Sequence, residues 1–243
     1  MTSVPRSPQQ IQAIQKLREL ILAGEFSVGQ RVSELAVVEK LDISRTPVRI
    51  ALTVLENEGF LRSLPRGGYI VRQFTIQDVH HAIEIRGVLE GMAARRAAER
   101  QLSEDEIAPL RAVTGKLEKL VRMKDRKFFT EQYRELNEEF HKSLLALADS
   151  AMLRRSFAHV ATLPFTSPNA FSFTVGDSDE HFENLKYGQC QHVAILDAIE
   201  NGQGMRAEAL VREHSLLALK ILSKALSHAD MRERIPGISL LEI

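Results

Sequence analysis

The 243-residue sequence predicts a mainly α-helical protein in two parts: an N-terminal winged helix-turn-helix domain over 8–74, then an all-α helical bundle over 81–228, with a hinge at 75–80 between them. Three observations predict this. The length exceeds what one minimal core needs and suits two domains of roughly 100 to 200 residues each. The first seventy-odd residues read as short helices followed by a glycine-rich hairpin. From Thr75 onward, apolar residues recur at helical period, with no strand-like alternation longer than a few residues.

Composition narrows the class. The chain carries 32 Lys+Arg against 32 Asp+Glu and is 44% hydrophobic, an ordinary globular balance. No stretch approaches the roughly 20 apolar residues of a membrane span, and Met1 to Gln10 lacks the apolar core of a secretory signal, so a cytoplasmic protein without a membrane partner is expected. Cys190 is the single cysteine and can form no internal disulfide. Residues 1–74 hold 10 Lys and Arg against 7 acids. An excess that small means any nucleic-acid reading must rest on where the charges stand.

Element by element, Ile11, Ile14, Leu17, Ile21 and Leu22 fall at helical spacing before Gly24, predicting a helix over 8–23. Ser33 is placed to cap a second helix with Leu35, Val38 and Leu41 on its apolar side, ending near Asp42. Ser44 is placed to cap a third, with Pro47 in its first turn. On a helical wheel Val48, Ala51, Leu52 and Leu55 share one side, while Arg45, Thr46, Arg49 and Thr53 share the other. The arginines therefore point away from the core, at a helix N-terminus whose dipole favours anions. "FLRSLPRGGYIV" then predicts two short strands around Pro65 to Gly68. Two helices joined by a three-residue turn, with arginine forks opening the second and a basic hairpin beyond, satisfy a winged helix-turn-helix. Arginine suits it because its planar fork can bond guanine O6 and N7 or a phosphate twice.

The stretch "GQRVSELAVVEKLDISRTPVRIALTVLENEGFL", with "PRGGYIV" after it, resembles the winged-helix domain of the GntR family of bacterial transcription regulators. The resemblance implies that Arg45, Thr46 and Arg49 contact bases and phosphates, and that Arg66, Gly67 and Gly68 form a wing tip approaching the minor groove. Two departures stand out: Leu35 or Ala36 stands where many relatives carry an arginine, and Ile50 replaces a common glutamate.

Over the rest of the chain, periodicity predicts helices near 76–100, 103–124, 126–149, 151–163, 181–201 and 204–228, with an irregular stretch at 164–180. Ser103 and Glu106 form a capping-box pair. His141 shares a face with Asn137, Leu144, Leu145 and Ala148; His192 with Ile195, Leu196 and Ile199; His214 with Leu210, Leu217 and Ile221. Each ring faces the predicted core. Singly, a buried histidine is satisfied by a neighbour or a backbone carbonyl; three together are satisfied at once by a metal.

"LNEEFHKSL", "QHVAILDAIENG" and "AEALVREHSLLAL" resemble the effector-binding FCD domain of the FadR-like branch of the same family. That resemblance implies a divalent transition metal such as zinc or nickel, held by Asn137, His141, His192 and His214. A neutral Asn137 in place of the commoner aspartate leaves such a site more positive and favours an anionic ligand. Arg86 lies on an inward stripe with Val79, Ile83 and Leu89. It is either an effector contact, as the resemblance implies, or an ion pair with Glu90 one turn on. The expected function is a ligand-responsive regulator, a homodimer on a pseudo-palindromic double-stranded DNA operator, controlled by a small molecule expected to be a carboxylate. The competing class is a metal-dependent hydrolase or lyase using the three histidines. No acid stands at helical spacing with them as in HExxH, so no enzyme is expected.

Overall fold

The structure, a computed structural model, describes residues 6–123, 129–163, 165–167, 169 and 179–243. Internal packing divides it into two units, one running to Val79 and regaining Pro236–Ile243, the other His80–Ile235.

The first unit begins with α1 (Pro8–Leu22), opened by a reciprocal Ser7–Gln10 capping box with proline at its first position. A two-residue strand β1 (Arg31–Val32) leads into α2 (Glu34–Leu41), which Ser33 caps by accepting from Ala36 N–H at 3.1 Å. Asp42 turns the chain through left-handed backbone, φ 51°, into α3 (Arg45–Asn57). Ser44 occupies the cap position of α3 but makes no side-chain cap bond. The third position after it is Pro47, which has no N–H to donate. Val48, Ala51, Leu52 and Leu55 are buried, as the wheel predicts, and the valine and the two leucines each contribute about 1.5 to 3 kcal/mol by leaving water. In α2 the buried pair is Val37 and Leu41, whereas Leu35, expected inside, is 54% exposed. Strands β2 (Leu61–Ser63) and β3 (Tyr69–Val71) form the hairpin, and β1 adds to the far side of β3, giving the antiparallel order β1-β3-β2. Sequence periodicity could not show β1, because two residues carry no period.

The chain's end returns to this unit, outside both predicted domains. A short turn of helix at Ile238–Leu240 buries Leu240, and Gly237 N–H donates to Leu22 O at 3.1 Å. Strand β5 (Leu241–Glu242) then pairs parallel with β4 (Phe74–Thr75).

The second unit is helical: α4 (Ile76–Glu99, whose first residues belong to the first unit), α5 (Glu104–Val121), α6 (Phe129–Leu147), α7 (Ala151–Ala161), α8 (Asp179–Glu200), α9 (Gly204–Ser227) and α10 (Ala229–Arg232). The Ser103–Glu106 capping box opens α5. Leu110, Leu117, Phe140, Leu144, Ile195 and Val211 centre the core. Gly87 lets α4 approach α9, since a Cβ there would lie 2.2 Å from Ser215 Oγ. Most of the 164–180 stretch and the predicted start of α6 lie outside the described residues.

Candidate DNA-binding surface and histidine centre

Arg45 and Thr46 stand exposed at the N-terminus of α3. Arg49, one turn on and 70% exposed, donates from Nε and Nη2 to the two carboxylate oxygens of Glu34 on α2, at 3.1 and 3.0 Å. That bond to Arg49 holds the Glu34 carboxyl below its usual range. Glu56, on the same side of α3, accepts from Ser63 N–H at 2.9 Å and so ties the helix to β2. At the hairpin tip Arg66 is exposed, and Gly67 and Gly68 adopt φ of 81° and 83°, a region that disfavours side chains. Arg31 braces the tip, donating from Nη2 to Gly67 O at 2.9 Å. Neither Glu34 nor Arg31 was singled out from sequence, since each acts from a different element.

In the helical unit His141 (α6), His192 (α8) and His214 (α9) are all buried, with one ring nitrogen of each within 4.8 Å of the others. Their outward nitrogens are engaged. His141 Nδ1 lies 2.5 Å from Glu90 Oε1 on α4. His192 Nδ1 lies 3.2 Å from Gln189 Oε1, and Gln189 is oriented by donating its amide to Thr114 O at 3.1 Å. His214 Nδ1 lies 2.9 Å from Gln191 Oε1. Each of these oxygens accepts only, so each Nδ1 carries a proton. Burial, with the neighbouring rings His214 and His141, pushes His192 well below the usual histidine range. Burial likewise takes His214 down to about 3. Both rings are therefore neutral near pH 7, and their Nε2 atoms carry lone pairs. Yet those two atoms face each other at 3.1 Å. Two acceptors cannot bond to one another; a cation between them turns the repulsion into coordination. The donor set thus fits a divalent transition ion, for which imidazole nitrogens are suited.

Asn137, one turn before His141, is buried and donates its amide to Asn169 Oδ1 at 2.9 Å, leaving its own oxygen as the acceptor. Arg86 is 2% exposed and donates from Nη1 to Thr166 O at 2.9 Å, with its Nε 3.4 Å from Glu90 Oε2. The Glu90 ion pair anticipated from spacing is therefore present. Sequence reasoning missed Glu90, Gln189 and Gln191 as histidine partners. Only Gln189, three residues before His192, left a local signal. Gln191 also lines an open groove between α8 and α9, of about 430 Å³, with Tyr187, Leu216 and Lys220.

Comparison with known proteins decides the family. The FCD domain model matches residues 81–216, and that of bacterial regulatory proteins of the gntR family matches 9–71. The chain belongs to the GntR family, with an FCD domain. The regulator is 28% identical over 194 residues, 80% of each chain, to the "Probable D-xylose utilization operon transcriptional repressor" of Paenarthrobacter nicotinovorans. It is 24% identical over 211 residues to the transcriptional repressor RspR of Escherichia coli, covering 86% of the regulator and 87% of RspR. Among solved structures its fold is like that of McbR/YncC of E. coli, with TM-score 0.62 and 21% identity over 91% of the regulator and all of that chain. The regulator is thus a GntR/FCD-type transcription regulator and not an enzyme. No helix among the described residues is long and apolar enough to cross a membrane.

Proposed function

We propose that this chain is a dimeric repressor whose affinity for a pseudo-palindromic operator is set by an organic acid bound at a metal centre in the helical unit. The observation that carries the reading is the convergence of three buried imidazoles whose outward nitrogens each face an acceptor oxygen. His141, His192 and His214, with the Asn137 oxygen, would hold the ion. When bound, such an ion, zinc or nickel for example, supplies open coordination positions for anionic oxygen. Three neutral rings and a neutral amide leave its charge uncompensated, and Glu90 is already opposed by Arg86, so an anionic effector is favoured. Arg86 itself spends Nη1 on Thr166 O, and its guanidinium fixes positive charge beside the site as its contribution to effector binding.

At the DNA end, α3 enters the major groove N-terminus first. Arg45, Thr46 and Arg49 read bases and phosphates there, while Arg66, Gly67 and Gly68 meet the minor groove. Arg49 exchanges Glu34 for DNA, an exchange eased because an exposed ion pair is held weakly. Dimer formation is supported by Ile85, Val88 and Met92, exposed on α4. Ile85 and Val88 also line an α4/α9 groove of about 770 Å³ that includes none of the three histidines. Repression is supported by the names of two relatives. A cytoplasmic location follows from the DNA partner.

Elemental analysis of untagged protein never exposed to a nickel column tests the centre. Near-stoichiometric transition metal, lost in His192→Ala, supports the reading. Its absence from both proteins rejects the metal centre.

A further inference from the structure

We infer that Glu90 is a positioning residue of the histidine centre, holding His141 with its proton on Nδ1 and its Nε2 lone pair turned toward the other two rings. This rests on the metal reading above, and the distances choose between it and a plain Arg86–Glu90 ion pair. Glu90 is fully buried and lies 2.5 Å from His141 Nδ1, but its nearest approach to Arg86 is 3.4 Å. Neither Arg86 Nε nor Glu90 Oε2 makes a hydrogen bond among the described residues. A pair built for its own stability would align the carboxylate on the guanidinium fork. Here the carboxylate is aligned on the imidazole, and Arg86, anchored on Thr166 O, supplies the charge behind it.

The three histidines are also held unequally. Neutral amides, Gln189 and Gln191, hold His192 and His214, whereas His141 alone has a carboxylate. A carboxylate partner raises the basicity of the ring it holds, which makes His141 the strongest donor of the three.

The test compares wild type with Glu90→Gln, which keeps the shape but brings an amide able to donate to Nδ1 and reverse the tautomer. The double variant Arg86→Met/Glu90→Gln leaves no unpaired buried charge and guards against misfolding. Two quantities are read: zinc affinity by chelator competition, and the His141 tautomer by long-range nitrogen NMR on metal-free protein. The expected result is zinc binding weaker by about 10- to 100-fold in both variants, with loss of the Nδ1–H form. Unchanged zinc affinity in a folded variant, or a wild-type His141 protonated on Nε2 alone, overturns the inference. Wild type that binds no zinc rejects the metal reading instead. The tautomer then decides Glu90 alone: Nδ1–H in wild type and lost in the variants sustains it, and any other pattern overturns it.

Discussion

At the residue scale, the histidine centre makes stability depend on pH. His192 and His214 titrate below their ordinary value of about 6.5 because burial penalises the charged ring. Below about pH 6.5 the unfolded chain takes up protons that the folded chain refuses. The stabilisation is therefore complete above that pH and is lost as pH falls toward about 3, the value for His214. Metal-free protein should lose about 2 kcal/mol per ring by about pH 5, read as a falling denaturation midpoint. A flat midpoint between about pH 7 and 5 would mean that the rings are solvated. The sequence showed these rings because each lies on an apolar helical stripe. It did not show that Glu90 holds His141, since the two meet from helices 51 positions apart.

At the element scale, α3 carries the DNA argument. Arg45→Ala and Arg49→Ala should each cost about 1 to 3 kcal/mol of operator binding, measured by fluorescence anisotropy against salt. Full operator affinity in the double variant would remove these residues from the interface. Glu34→Gln should act in the opposite sense, because it frees the Arg49 fork and removes a negative charge from the approaching phosphates. Weaker DNA binding by a folded Glu34→Gln protein would show that the pair preorganises Arg49 instead. The face of α3 was legible over 13 residues, but that of α2, with 8, only in part, since Leu41 alone of its three expected residues is buried. Two turns give periodicity too few repeats to separate Leu35 and Val38 from the buried Val37.

At the scale of the whole molecule, the chain enters its DNA-binding unit twice. Residues 236–243 complete that unit through the buried Leu240 and the β4–β5 pair. Truncation after Ile235 should lower the thermal stability of the first unit and leave zinc affinity unchanged. Equal melting of the truncated and full-length proteins would show that the tail is dispensable. This return was not legible in the sequence, because a strand of two residues paired with one 167 positions away has no local signature. In the proposed function the histidine centre governs DNA binding. Its most direct test is the operator dissociation constant, measured across a panel of organic acids for wild type and for His192→Ala. At least one acid should shift the wild-type value by about 5- to 150-fold, with no shift in the variant. An equal response in both proteins would contradict the claim.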